Sequence, residues 1–155
     1  MKMIARIAGA ALLAATVASS AQAAGEGRVE VRGGIAWFNG FGASGSEAVI
    51  GVAGGYDFDL GDTVFAGVEG SADKVLATGS EVLWGVGGRL GAKVGDSTRL
   101  YVAGGLGFGG GDTSPYGGVG VQQKFGGNFY GKIEYRRYFD IIDVNTAAVG
   151  VGLTF

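Results

Sequence analysis

Carboxylates and bases recur at spacings of two along this chain: Glu30 with Arg32, and Lys132 with Glu134 and Arg136. Alternate residues of a β-strand stand on one face, so each set projects together if its segment is extended. Glu69, Glu81, Arg89, Lys93 and Lys124 lie in segments of the same alternating kind. Two chemistries are open to such residues. A carboxylate pair flanking an open cleft serves acid–base hydrolysis. Carboxylates interleaved with Arg and Lys instead neutralise one another, and buried charges persist when paired. The interleaving favours pairing. It predicts a structural ion-pair network, with a polar wall around a narrow conduit as the alternative use of the same side chains.

Other chemistry is thinly supplied. The chain holds no His and no Cys, which removes the commonest general base and all thiolate and disulfide chemistry. A serine hydrolase acting on lipid A normally needs a histidine beside its nucleophile, so such an enzyme is disfavoured and no catalytic residue is expected. Residues 105–110 read Gly-Leu-Gly-Phe-Gly-Gly and match G-x-G-x-x-G. A dinucleotide site needs a helix to open directly after that motif, whereas the turn-rich stretch 109–115, ending in the single proline Pro115, follows here. Asp112, Asp140 and Asp143 are expected in loops. A hard cation takes six to eight oxygens, and solvated loop tips are the simpler expectation. No metal or cofactor is expected.

The elements that position these groups are read from periodicity. Lys2 and Arg6 precede an apolar run over 7–17 and a small-x-small site at Ala21-Gln22-Ala23. The run is shorter than the about 20 residues a spanning helix needs, so 1–23 reads as a cleaved signal peptide and 24–155 as one domain. Removing Lys2 and Arg6 leaves ten bases against fourteen acids, a net charge of −4, which argues against nucleic acid as a partner. Alternation then recurs eight times, over 28–38, 47–58, 63–72, 80–94, 99–108, 116–125, 129–139 and 145–155. That is an all-β pattern. Tight turns are expected at 59–62, 95–98 and 126–128, and longer loops at 39–46, 73–79, 109–115 and 140–144.

Two features decide which face is inside. The polar face is crowded with glycine, for example Gly51, Gly67, Gly105, Gly120 and Gly152. Glycine weakens a water-facing strand but fits the narrow interior of a small barrel. On the apolar face the aromatics gather near strand ends. Tyr56, Phe58, Phe125, Phe129 and Phe155 fall toward the short turns, and Trp37, Trp84, Phe108 and Phe139 toward the long loops. Aromatic girdles flanking an aliphatic band fit a bilayer. The expected fold is an eight-stranded antiparallel up-and-down transmembrane β-barrel, apolar outside, with Glu30, Arg32, Glu69, Glu81, Arg89, Lys132, Glu134 and Arg136 in the lumen.

Residues 130–138, Tyr-Gly-Lys-Ile-Glu-Tyr-Arg-Arg-Tyr, with Val151-Gly152-Leu153-Thr154-Phe155 and Gly67-Val68-Glu69-Gly70, resemble the small outer-membrane β-barrels of the OmpA-like and opacity-type porin family. The resemblance covers nearly all of 24–155. It implies export to a Gram-negative outer membrane and lipid as the surrounding partner. It implies recognition of the strand ending in Phe155 by the barrel-assembly machinery, and a structural, envelope-integrity or surface-interaction role without chemistry. A narrow porin-like channel is the alternative. The loops read as shorter than those of adhesins and invasins, and with no C-terminal domain expected after Phe155 the resemblance does not imply peptidoglycan binding.

Overall fold

The structure is a computed structural model that describes residues 25–40, 43–139 and 143–155. Among the described residues eight strands follow one another without a helix: β1 (Gly25–Gly40), β2 (Ala43–Asp59), β3 (Val64–Val75), β4 (Val82–Val94), β5 (Thr98–Gly109), β6 (Asp112–Gly126), β7 (Phe129–Tyr138) and β8 (Val144–Thr154). Each pairs antiparallel with the next, and β1 pairs with β8 from Arg28↔Thr154 to Phe38↔Val144, which closes the barrel. Closure leaves no sheet edge within the paired section, as a backbone in lipid requires. Both termini of the barrel lie at the short-turn end, where the Gly27 amide donates to the Phe155 carbonyl at 2.8 Å.

The alternation is inverted relative to a soluble protein. Val31, Ile35, Val52, Val68, Val86, Leu90, Val102, Ile133, Val149 and Val151 are exposed, while Arg28, Glu30, Asp57, Arg89, Lys132, Glu134 and Arg136 are buried. Such an exterior is stable only against hydrocarbon.

The ends differ from the sequence expectation. The strands run further than alternation alone marked, and β1 and β2, at 16 and 17 residues, exceed the about 9–11 that cross a bilayer. Consequently 109–115 is not a loop. Gly110 and Gly111 alone connect β5 to β6, at φ +60 and +89. Two successive positive φ values make the tight hairpin turn that follows strand twist. Pro115 is in β6, just past its last pair with β7, Tyr116↔Tyr138. Its carbonyl still accepts from the Phe139 amide at 2.9 Å, so its missing N–H falls at the last bond of that ladder, where a proline is tolerated. The connections 76–81 and 139–143 remain longer. The expected loop at 39–46 falls largely within β1 and β2, with 41 and 42 outside the described residues.

Inward glycines have a steric role. A Cβ on Gly105 would stand 2.6 Å from the Gly87 Cα, and one on Gly152 would stand 2.7 Å from the Tyr130 ring. Likewise Tyr101 lies over Gly120, and Tyr116 over Gly87. Each notch admits an aromatic ring into a lumen otherwise too narrow for it. Gly105→Val should therefore cost about 1–3 kcal/mol and lower the urea midpoint of the detergent-embedded protein. Gly70→Val, on the lipid face with no other atom nearer than 3.9 Å, should leave the midpoint nearly unchanged.

Candidate functional site

The polar residues meet in layers along the barrel axis. At the short-turn end Lys93 pairs with Asp59 at 2.6 Å, and Glu26 receives Arg99 at 2.5 Å and Lys124 at 2.6 Å. Above them Asp57 accepts a forked pair of bonds from Arg89, through Nε at 2.8 Å and through Nη2, and lies 3.0 Å from Arg99 and 3.6 Å from Arg28. Arg89 Nη2 also donates to Gln122 Oε1 at 3.0 Å. Phe65, fully buried on the lumen side of β3, is flanked by guanidiniums, with Arg89 at 5.3 Å and Arg99 at 5.1 Å from its ring centroid. The Arg89 guanidinium also lies over the Tyr101 ring, 4.8 Å from its centroid. Cations over ring faces stabilise more strongly where water is excluded.

The middle layer holds three carboxylates and four bases. Glu69 meets Arg28 at 2.7 Å and also pairs with Arg136. Lys132 bridges Glu30 and Glu134, lying 3.4 Å from the latter, and Arg136 Nε donates to Glu134. Arg32 Nη1 lies 3.6–3.8 Å from Glu134, Glu69 and Glu30. Two tyrosines complete the layer, with Tyr101 Oη donating to Glu134 at 2.6 Å and Tyr130 Oη to Glu30 at 2.7 Å. Over this layer Arg32 forks onto Asp73, through Nε at 2.7 Å and through Nη2.

So Glu30, Arg32, Glu69, Arg89, Lys132, Glu134 and Arg136 stand together in the lumen, none more than 9% exposed. Glu81 does not join them. Strand β4 begins at Val82, paired with Lys74, and Glu81 lies past that last pair, exposed at the rim beside the Gly110 turn. Arg28, Asp57, Asp73, Phe65, Gln122 and the lumen tyrosines were not singled out from the sequence. The signal was available: Arg28 shares the parity of Glu30, Asp57 that of Gly55, and Asp73 that of Glu69 and Ser71.

On the outer surface Phe58, Trp84, Phe108, Phe125, Phe129, Phe139 and Phe155 are exposed, and Trp84 pairs directly across from Phe108. Trp37 is half-buried, its ring 6.1 Å from that of Tyr135. Tyr56 departs from the girdle. It is only 3% exposed, packed 4.9 Å from the Phe58 ring and over the side-chain-free backbone at Gly25. Neighbouring glycine lets the ring lie flat and be covered, so it presents little surface to lipid.

The arrangement is poor at acid–base chemistry. Every middle-layer carboxylate is held by at least one cation. Asp143 pairs with Arg137 at the rim, Asp112 is exposed, and Asp140 lies outside the described residues. Among the described residues no three acids gather as a metal would require. Residues 105–110 form the end of β5 and its turn, with β6 following where a dinucleotide site needs a helix.

Known proteins agree with this geometry. The barrel is similar to Ail, the attachment invasion locus protein of Yersinia pestis, at 20% identity and TM-score 0.64, covering 84% of this chain and 99% of that one. It is similar to Neisserial surface protein A at 17% identity and TM-score 0.59, covering 83% and 97%. The N-terminal β-barrel domain of Pseudomonas aeruginosa OprF matches at 19% identity and TM-score 0.58, covering 84% and 99%. No curated protein sequence matches the chain. The sequence profile of the outer membrane protein beta-barrel domain matches residues 9–155. With an inverted barrel, a paired charged lumen and a profile match over nearly its whole length, the chain belongs to the outer membrane protein β-barrel domain family and resides in the Gram-negative outer membrane.

Proposed function

We propose that this barrel is a closed, non-catalytic membrane protein that contributes to envelope integrity and presents its far-end hairpins to the cell exterior. The observation that carries this reading is the filled lumen. From Asp57 to Asp73 the cross-section is occupied by paired charges and by the rings of Phe65, Tyr101 and Tyr130, all under 10% exposed. An eight-stranded interior is just wide enough for side chains to fill, and this one is filled with groups that hold one another. The short turns then face the periplasm and the opposite rim the outside. Among the described residues of that outer rim, the acids Glu47, Glu81, Asp112 and Asp143 outnumber the bases Lys74 and Arg137, which makes anionic polysaccharide a poor partner for it. Residues 1–23 serve as the export signal, and β8 with Phe155 as the strand offered to the assembly machinery.

Planar bilayer recording tests the reading against the channel alternative. Reconstituted protein that migrates in its heat-modifiable folded form is expected to show no discrete conductance above the lipid baseline. Reproducible single-channel steps would replace the closed barrel with a narrow pore.

A further inference from the structure

Above the Arg32–Asp73 pair the lumen changes character. The inward positions there are apolar: Ala36, Val49, Val75, Leu83 and Val144 line a cavity of about 260 Å³. Its floor is polar, formed by Arg32 with Asp73 and Arg136 with Glu134. Tyr138, Ser114 and Thr146 add polar atoms to the wall. Below it the lumen is lined mainly by charge, aromatic rings, glycine and small or polar side chains such as Ser71 and Gln122. Apolar side chains around an open space gain nothing from water and gain from an apolar occupant.

The floor sets what that occupant carries. Arg136 and Arg32 are buried in this floor, at 3% and 8% exposed, and the Nη1 of each makes no well-aligned hydrogen bond, Tyr138 of the wall being the hydroxyl beside Arg136. Such a donor is costly to leave unmade. An entering anion would meet Asp73 and Glu134, and an entering cation would meet Arg32 and Arg136. An uncharged hydroxyl avoids both penalties, since it accepts from Arg136 Nη1 and donates to a floor carboxylate. The volume exceeds the about 150 Å³ of an apolar cavity that takes benzene, so a hydroxyl-bearing ring with a small substituent fits. We propose that this outward-opening vestibule is a binding site for small uncharged hydroxylated apolar molecules of the alkylphenol class, held by the apolar wall and by Arg136.

The test uses protein extracted from membranes and reconstituted in lipid nanodiscs, with 4-methylphenol as probe and amide and methyl NMR signals as readout. Signals of Ala36, Leu83 and Thr146 are expected to shift saturably while those of lipid-facing Val68 and Val102 do not. Toluene, which has the ring without the hydroxyl, should bind about tenfold or more weakly, the factor set by one hydrogen bond to a charged donor, and the 4-methylbenzoate anion, which meets Asp73 and Glu134, should also bind more weakly than 4-methylphenol. Leu83→Trp fills the cavity and should abolish the saturable shift. Ala36→Leu fills it from another strand and decides the matter should Leu83→Trp not fold. Shifts that never saturate, that appear equally on the lipid face, or that survive in a folded cavity-filling variant would overturn the site. Equal affinity for toluene would overturn the role of Arg136.

Discussion

Glu134→Ala is expected to lower the unfolding free energy of the detergent- or lipid-embedded barrel by about 3–5 kcal/mol, the cost of taking one carboxylate from a buried, mutually paired cluster. Glu134 receives Arg136 Nε and the Tyr101 hydroxyl and faces Lys132 at 3.4 Å. Removing it takes the acceptor from the Tyr101 hydroxyl and leaves Arg136 and Lys132 with one close carboxylate each, Glu69 and Glu30, in place of two. Glu134→Gln keeps the acceptor for Tyr101 but not the charge, so it should fall between wild type and Ala. Val68→Ala is the control. Val68 is 49% exposed on the outer wall, where lipid fills the space a smaller side chain leaves. Its cost should be about 1.5 kcal/mol, near the transfer value of the two methyl groups removed. Urea unfolding read by tryptophan fluorescence gives both numbers. A neutral Glu134→Ala beside a damaging Val68→Ala would reverse the assignment of inside and outside.

Phe65→Ala should rank with it, at about 3–5 kcal/mol, although Phe65 carries no charge. The ring is fully buried, sits between Arg89 and Arg99, and covers Gly91, where a Cβ would stand 2.7 Å from it. No lipid reaches that space, and the two guanidiniums lose the ring face that accompanies their shared carboxylate, Asp57. Phe65→Leu keeps most of the volume and loses the cation–π contacts, so about 1–2 kcal/mol is expected. The same unfolding assay measures both. A loss under about 1 kcal/mol for Phe65→Ala would mean that the lumen at this level is wet and that the short-turn mouth is open.

The architecture was legible because membrane barrels obey a period of two with its sense inverted. Once Val149, Val151 and Leu153 were set opposite Gly150, Gly152 and Thr154, the remaining strands followed the same rule, and glycine on the polar side marked that side as the crowded one. Strand ends were less legible. Alternation fades where polar and small residues succeed one another, as over 39–46 and 109–115, so β1, β2, β5 and β6 run on through positions that read as loop. The Gly110–Gly111 turn was hidden because a glycine pair means a tight hairpin only if the flanking residues pair, and pairing is a property of two strands.

The charged lumen divides in the same way. Local parity suffices to place Glu30, Arg32, Glu69, Arg89, Lys132, Glu134 and Arg136 on one face, since the direction of a side chain depends only on its own strand. Which charge meets which depends on the stagger of strands around the barrel, and no single strand carries that. Only closure brings Arg32 of β1 to Asp73 of β3, Arg89 of β4 to Asp57 of β2, and Arg136 of β7 to Glu69 of β3. Closure also leaves Glu81 beyond the last paired residue of β4, lays Tyr56 flat against glycine, and gathers Ala36, Val49, Val75, Leu83 and Val144 from five strands around one cavity. The sequence by itself determined the inverted barrel and the face of each side chain. Register, set by hydrogen bonds between segments far apart in the chain, decided the ion pairs, the aromatic closures and the vestibule.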